Sequence, residues 1–285
     1  MNDDTAIPPL PLVSTAWLAE RLDDPSIRII EVSADPDKNT YMEGHIPGAE
    51  WKNWKEFCWH ETDRSFPTPE EMGKRLGRIG VSRDTLVVLY GDPVQYGSYA
   101  FWTLTMCGHP HLRLLDGSRT KWEAEGRPLS QDISRFDPVD YIAGPGDSSS
   151  RIGRNDVRRD LGKPGRILLD VRSPEEYRGE RVMPPPHFDH GAERTGRIPG
   201  AVHLYYRELL NEDDTFKSGE ELRAIFSGVG ISPEIREEVV TYCRLSHRAT
   251  IAWIAAHHIL GLPNIRIYDG SWTEWGSIVG FPIEK

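Results

Sequence analysis

The sequence carries the same motifs twice, about half a chain apart. His-Ile-Pro-Gly-Ala at 45–49 returns as Arg-Ile-Pro-Gly-Ala at 197–201, an offset of 152 residues. Leu-Leu-Asp-Gly-Ser at 114–118 returns as Ile-Tyr-Asp-Gly-Ser at 267–271, an offset of 153 residues. Matching motifs in the same order at nearly one offset indicate a duplicated domain, because a solenoid repeats every few tens of residues. A chain of 285 residues holds two such units of ordinary domain size.

The stretch that joins the two copies is predicted to be a loop. Gly-Pro-Gly-Asp-Ser-Ser-Ser at 144–150 is rich in turn-forming residues and has no apolar period. We therefore place the domain boundary near residue 147, which gives an N-terminal domain at 1–146 and a C-terminal domain at 147–285.

Short apolar segments in each copy predict the fold class. Residues 28–32 and 85–90 in the first copy, and 167–171 and 238–242 in the second, have strand length and little polar alternation. Such strands suit a parallel sheet that is covered on both faces. Residues 249–260 have apolar side chains at helical spacing. The sequence predicts an α/β fold in which each domain is a parallel β-sheet flanked by helices.

The residues that follow the strand at 238–242 form a candidate active site. Cys243 comes directly after this strand, and the segment 243–248 reads Cys-Arg-Leu-Ser-His-Arg. Ligands of open α/β sheets bind beyond the carboxyl ends of the strands. A short turn there aims backbone N–H groups inward, and Arg244, His247 and Arg248 add positive charge, so the setting favours a reactive thiolate.

The other cysteines and the first copy lack this setting. Cys58 and Cys107 lie among apolar residues, so we expect both to be buried packing residues. Aligning the two copies places Gly91 and Asp92 opposite the cysteine and the arginine that begin segment 243–248. We therefore expect one active domain and one supporting domain. Three scattered cysteines are too few for a disulfide framework or a zinc cluster and indicate a reducing compartment.

The overall charge excludes several classes of partner. The net charge of −10 gives no general footprint for nucleic acid or for an anionic membrane. The first four residues are acidic and lack an apolar segment, and no stretch approaches 18 apolar residues. We therefore expect a cytoplasmic protein that binds neither nucleic acid nor membrane, with a small anionic ligand met by a local basic cluster.

The second copy has an insertion at 178–193 relative to the first. It contains His187, Asp189 and His190, which could in principle bind a metal ion. Consecutive prolines at 184–186 favour an extended loop, and no further ligand lies at a useful spacing, so we predict no metal site. We expect a surface loop at the entrance to the site.

Several motifs together resemble the tandem-domain rhodaneses, a family of thiosulfate sulfurtransferases. Residues 41–49 are similar to the N-terminal signature of the family, residues 268–275 to its C-terminal signature, and residues 170–177 to a turn of its active half. Lys52 and Ile265 depart from the usual residues at the edges of these signatures. The resemblance spans about 13–283 and implies two rhodanese-like domains, of which only the C-terminal one is catalytic.

The resemblance also implies a reaction and a set of site residues. Cys243 would take the outer sulfur of thiosulfate as a persulfide and pass it to cyanide or a thiol, with no cofactor beyond this covalent intermediate. Arg172 is the substrate-binding arginine by resemblance, although it could instead pair with Asp170 or Glu175. The remaining predicted substrate-binding residues supply charge or N–H groups: Arg244, Leu245, Ser246, His247 and Arg248.

Three alternatives share the fold. A 3-mercaptopyruvate sulfurtransferase typically has a small, nearly uncharged loop after the cysteine, and Arg244 and Arg248 argue against it. A phosphatase of related fold has Cys-x5-Arg, whereas Arg248 here is one position too early and Ala249 stands in its place. A persulfide carrier or binding module that serves a sulfur-acceptor protein without turnover would use the same chemistry at Cys243, and it stays open.

Overall fold

The computed structural model describes residues 10–184, 186–232 and 234–285. The first four residues, which the sequence shows to lack an apolar segment, and Pro185 of the insertion therefore lie outside the described residues. The chain divides into two compact units. One comprises Met1–Asp147 with Glu212–Thr215, and the other comprises Ser148–Asn211 with Phe216–Lys285.

The first unit is built on a five-stranded sheet in the order β1-β5-β4-β2-β3. Every pairing in this sheet is parallel. The strands are β1 (Leu12–Val13), β2 (Ile27–Ser33), β3 (Glu50–Asn53), β4 (Leu86–Asp92) and β5 (Leu112–Leu115). The helices are α1 (Thr15–Ala19), α2 (Asn39–Glu43), α3 (Trp54–Cys58), α4 (Pro69–Gly77), α5 (Val94–Met106) and α6 (Ser118–Ala124).

The second unit repeats this topology with the order β6-β10-β9-β7-β8, again parallel throughout. The strands are β6 (Arg151–Ile152), β7 (Arg166–Asp170), β8 (Val202–His203), β9 (Glu238–Tyr242) and β10 (Ile265–Tyr268). The α-helices are α7 (Arg154–Arg159), α8 (Pro174–Tyr177), α9 (Gly219–Gly228), α10 (His247–Trp253) and α11 (Ser271–Trp275). A 3₁₀-helix covers Tyr206–Leu209, and a π-helix covers Ile254–Ile259. The predicted α/β fold with two parallel sheets is confirmed.

The middle strand of each sheet is buried, as its apolar sequence requires. Residues 86–91 of β4 and 239–242 of β9 are all buried. Near its carboxyl end each strand has a tyrosine, Tyr90 or Tyr242, that belongs to the core of its own unit. A tryptophan at the matching place of each copy, Trp122 or Trp275, closes that core. Burial of such large rings stabilises the carboxyl end of each middle strand, where the following turn begins.

The helix after β9 differs in two ways from the predicted helix at 249–260. It begins two residues earlier, at His247, because Ser246 adopts a left-handed conformation (φ +65°) that turns the chain at once into the helix. From Ile254 it widens into a π-helix, and the N–H of Leu260 accordingly donates to the carbonyl of Ala255, five residues back. Apolar spacing does not distinguish an α-turn from a π-turn. Within the described residues, no helix is both long and apolar enough to cross a bilayer.

Thr241 in β9 provides a test of the packing of this strand. Its side chain is fully buried, and its Oγ1 has no hydrogen-bond partner among the described residues. A buried unpaired hydroxyl costs about 1–3 kcal/mol. We expect Thr241→Val to raise the free energy of unfolding by about 1 kcal/mol, measured by denaturant titration.

The matched control is Thr103→Val. Thr103 is equally buried, but its Oγ1 donates to the Tyr99 carbonyl at 3.0 Å. This variant is expected to lower the free energy of unfolding by about 1 kcal/mol. A loss of stability in Thr241→Val as well would contradict the assignment of an unpaired hydroxyl.

Candidate active site

Cys243 lies at the carboxyl end of the middle strand of the second unit. We call residues 243–248 the cysteine loop. Cys243 is 1% exposed, and its N–H donates to Ser271 Oγ at 3.2 Å. Its carbonyl accepts from the N–H of Trp272 at 2.9 Å, and the Arg244 carbonyl accepts from the N–H of Thr273 at 3.0 Å. The first turn of α11 therefore fixes the start of the cysteine loop.

The remainder of the C-terminal signature supports the same loop. Ser271 Oγ also donates to the Tyr268 carbonyl at 2.9 Å, which orients it toward the Cys243 N–H. Ser246 Oγ donates to Asp269 Oδ1 at 3.1 Å, and Asp269 in turn accepts from Arg151 at 3.1 Å. These bonds make the strand-to-helix turn after β10 the support on which the cysteine loop rests.

Arg248, at the end of the cysteine loop, forms a bidentate ion pair with Glu176 of α8. Its Nη1 donates to Oε2 at 2.7 Å, and its Nη2 donates to Oε1 at 2.9 Å. The Glu176 side chain has no exposed surface, and that of Arg248 is 10% exposed. Burial raises the pKa of Glu176, but the charge and hydrogen bonds of Arg248, the charge of Arg172 and the Ser173 N–H together outweigh it, so the net shift of the pKa is downward and the carboxylate stays ionised at neutral pH.

Arg172 lies outside the reach of a ligand in this structure. Its side chain is 0% exposed, with Nε on Asp170 Oδ1 at 3.0 Å and Nη2 on Asp170 Oδ2 at 2.6 Å. Nη2 also donates to the Gly196 carbonyl at 2.8 Å, and the guanidinium lies over the Trp272 ring at 4.6 Å. The sequence allowed Arg172 either a substrate contact or a pairing with Asp170 or Glu175. The pairing with Asp170 is the one observed. A substrate contact by Arg172 would require it to leave this carboxylate.

The other predicted substrate-binding residues of the cysteine loop differ in their exposure to solvent. Arg244 and Leu245 are partly exposed, whereas Ser246 and His247 are buried. Arg244 lies against Gly191 so closely that a methyl group at Gly191 would overlap Nη1. Since Gly191 belongs to the insertion at 178–193, this segment borders the site, in keeping with its expected place at the entrance.

Asp189 and His190 of that insertion bond to backbone groups of the loop itself. Asp189 Oδ1 accepts backbone N–H groups from Val182 at 2.9 Å and Met183 at 3.0 Å, so it shapes the loop. The His190 ring contacts the Phe188 carbonyl through Nδ1 at 2.9 Å. Among the described residues, no group of three or more His, Cys, Asp or Glu side chains could hold a metal ion.

The corresponding position of the first unit has the same serine support but a different centre. Ser118 Oγ accepts from the Gly91 N–H at 2.8 Å, as Ser271 Oγ accepts from the Cys243 N–H. A side chain at Gly91 has no room, because its Cβ would lie 2.6 Å from the Pro93 carbonyl oxygen and closer still to the Gly97 N. The first unit therefore keeps the frame of the site while its backbone fills the place of the thiol.

Cys58 and Cys107 are buried in the first unit, as expected. Burial raises the pKa of each thiol to about 12, so neither forms a thiolate at neutral pH. Cys107 Sγ lies 3.5 Å from the Pro67 carbonyl oxygen as a hydrogen-bond donor. Cys243 is therefore the candidate nucleophile.

Comparison with known proteins agrees with this geometry. The family model of the rhodanese-like domain matches the chain twice, at residues 14–125 and 154–278. The two matches fall on the two repeated sheets, and the chain belongs to the rhodanese family. The resemblance seen in the sequence is thereby confirmed.

Similar curated proteins carry sulfur-transfer names. The chain is 44% identical over 278 residues to the "Sulfur carrier protein TtuD" of Thermus thermophilus, with 96% of each chain covered. It is 40% identical to a "Putative thiosulfate sulfurtransferase" of Haloferax volcanii, again with 96% of each covered. A protein of the same name from Mycolicibacterium smegmatis is 38% identical, covering 96% of this chain and 97% of the relative.

Solved structures also resemble the chain. A persulfide form of EanB with ergothioneine matches with a TM-score of 0.82 and 25% identity, covering all of this chain and 73% of the other. The anaerobic ergothioneine biosynthesis enzyme from Chlorobium limicola, solved with trimethyl histidine, matches with a TM-score of 0.80 and 25% identity, with the same coverage.

Glu176 is the site residue that sequence reasoning missed. It stands at the third helical position after Ser173, where a glutamate completes a capping box, and this pattern accounts for it without any ligand. Its partner Arg248 is 72 residues away along the chain. The available signal was its place next to the turn after β7, at the same sheet edge as Cys243.

The closed turn of the first unit predicts a strong effect of a small substitution. In Gly91→Ala the new methyl group meets backbone atoms that cannot move aside. We expect the free energy of unfolding to fall by more than about 2 kcal/mol in a denaturant titration.

Gly228→Ala serves as the control, because nothing lies within 4 Å of a Cβ there. As the last residue of α9, it is expected to gain a few tenths of a kcal/mol. Equal stability of the two variants would show that the backbone around Gly91 has room for a side chain.

Proposed function

We propose that this chain moves the sulfane sulfur of thiosulfate to a thiophilic acceptor through a persulfide on Cys243. The observation that carries the proposal is the placement of Cys243 at the carboxyl end of the middle strand, beside Arg248, in one unit of a duplicated fold. The other unit has Gly91 at the same place with no room for a side chain. The names of the similar proteins support sulfur as the group transferred.

In the first step the Cys243 thiolate attacks the outer sulfur of thiosulfate. A bond forms between Sγ and that sulfur, the sulfur–sulfur bond of the donor breaks, and sulfite leaves with the electron pair. Cys243 then carries one additional sulfur as a persulfide. No cofactor takes part, because the leaving group accepts the electrons.

In the second step a nucleophilic acceptor, cyanide or a thiol, attacks the outer sulfur of the persulfide. The bond between the two sulfurs breaks, and Cys243 leaves as a thiolate. The acceptor departs as thiocyanate or as a new persulfide. The thiolate is regenerated without external oxidant or reductant, so the cycle repeats.

The charges around Cys243 suit an anionic donor. A dianion that approaches a thiolate is repelled, and nearby cations lower this barrier. Arg248 is coupled electrostatically to Cys243, and the N–H groups of residues 245–248 are the proposed hydrogen-bond donors to the persulfide. Arg244 would meet the donor on the side of the insertion. We assign Arg172 to holding Asp170 and the Gly196 carbonyl, not to contact with the donor.

A second candidate function is that of a persulfide carrier that delivers its sulfur to an acceptor protein. The name of the Thermus thermophilus relative, which is 44% identical, favours it. Steady thiocyanate production from thiosulfate and cyanide would identify the enzyme. One sulfur loaded per chain, released only to a protein acceptor, would identify the carrier.

Cys243→Ser is expected to abolish both persulfide formation and thiocyanate production, because the hydroxyl does not replace the thiolate as nucleophile. Mass spectrometry of the intact chain after thiosulfate treatment should show the gain of one sulfur in the native protein and none in the variant. Cys58→Ser and Cys107→Ser are the controls and should load normally. Loading of Cys243→Ser would refute the mechanism.

Arg248→Ala is expected to raise the KM for thiosulfate roughly tenfold or more, because it removes a charged partner of a dianion. Arg158→Ala is the control, since Arg158 lies in the last turn of α7, where its guanidinium is over the Phe281 ring at 4.5 Å and not in the cysteine loop. Steady-state kinetics across thiosulfate concentrations measure both variants. An unchanged KM in Arg248→Ala would remove this residue from the donor site.

A further inference from the structure

Among the described residues three helices begin with a capping box, and one of the three glutamates is unlike the others. Glu71 of α4, Glu176 of α8 and Glu221 of α9 each accept a backbone N–H three residues earlier. The side chains of Glu71 and Glu221 are 39% and 54% exposed, whereas that of Glu176 is 0% exposed. Capping is satisfied at the surface, so it does not explain why a third carboxylate is buried.

Burying this carboxylate is costly unless it serves a partner. A buried ionised group is tolerated only with an opposite charge and well-placed hydrogen bonds. Glu176 has both from Arg248, with two bonds in parallel at 2.7 Å and 2.9 Å. One side chain comes from the turn after β7 and the other from the end of the cysteine loop, so the pair joins two neighbouring turns of the sheet edge.

The duplication shows that this pair is not part of the common fold. Tyr41 and Tyr177 donate to the carbonyls of Ala49 and Ala201, which sets the alignment of α2 with α8 and places Thr40 opposite Glu176. Counting from Tyr90 of β4 and Tyr242 of β9 places Tyr96 opposite Arg248. The first unit, which has Gly91 in the place of Cys243, has therefore neither member of the pair.

We infer that Glu176 is a positioning residue of the sulfur-transfer site, which holds Arg248 beside Cys243 and offsets its charge, so that it sets how tightly the anionic donor is held. The inference rests on the proposed function. It assigns opposite effects to the two ends of one ion pair. Loss of the arginine weakens donor binding, and loss of the carboxylate charge strengthens it.

The test is Glu176→Gln, which keeps the shape of the side chain and removes its charge. Arg248 then presents an uncompensated charge to thiosulfate, so the half-saturating concentration for loading of Cys243 should fall at least about threefold. The maximal loading rate should not rise. A purely structural glutamate would leave that concentration unchanged or raise it, and either result would overturn the inference.

Glu221→Gln is the matched control, because it removes the same charge from the same capping position in the same unit. It should leave the half-saturating concentration unchanged. A fall equal to that of Glu176→Gln would show that the change in net charge alone is responsible, and it would also overturn the inference.

The double variant Glu176→Gln/Arg248→Gln covers the case in which the single variant does not fold, because it leaves no buried charge unpaired. Compared with Arg248→Gln alone, it should show the same half-saturating concentration within about twofold, since Glu176 acts through Arg248. A larger difference would contradict the inference.

The native protein distinguishes this inference from the proposed function. If native Cys243 gains no sulfur from thiosulfate, the proposed function fails. If it loads normally and the carboxylate variants do not shift the half-saturating concentration as stated, only the role of Glu176 fails.

Discussion

Two backbone N–H groups at the start of α11 hold the carbonyls of Cys243 and Arg244, and the rest of the site depends on this pair of bonds. They come from Trp272 and Thr273, which follow the Asp-Gly-Ser turn that both copies share. Since strand β10 lies next to β9 in the sheet, its own strand-to-helix turn is available as a support for the neighbouring turn. A parallel sheet thus supplies, from one edge, both the proposed nucleophile and the frame that holds it.

The duplication separates the requirements of the fold from those of the chemistry. Both units keep the serine beneath the turn, Ser118 or Ser271, and a buried tyrosine at the end of the middle strand. Each tyrosine hydroxyl accepts a backbone N–H from the Ile-Pro-Gly-Ala motif, that of Ile46 at 3.4 Å or Ile198 at 3.2 Å. Of the two units, only the second has Cys243, Arg248 and Glu176, where the first has Gly91, Tyr96 and Thr40.

The sequence was informative wherever a local pattern has a single physical outcome. Short apolar segments without polar alternation predicted two parallel sheets. The position of Cys243 directly after such a segment predicted that this residue lies at the sheet edge. The early start of α10 depends on the left-handed Ser246, and serine rarely adopts that conformation, so the residue type did not reveal it. The π-helix after it has the same apolar spacing as an α-helix.

Side-chain pairing was harder to predict than backbone structure. The sequence offered Asp170 and Glu175 as partners of Arg172, and only the buried geometry selected Asp170. Glu176 satisfied a capping pattern, which concealed its bond to an arginine in a distant segment. Arg172 and Arg248 were both expected to contact the donor, and each is paired with a carboxylate. A buried guanidinium needs such a counter-charge whether or not a ligand binds.

The close approach of Gly91 and Gly97 has an evolutionary consequence. A side chain at Gly97 would lie 2.6 Å from the Gly91 N, just as one at Gly91 would meet the backbone around Gly97. Neither position can change alone without displacing the main chain. A single mutation therefore does not place a cysteine side chain at Gly91, and the difference between the two copies is not removed one substitution at a time.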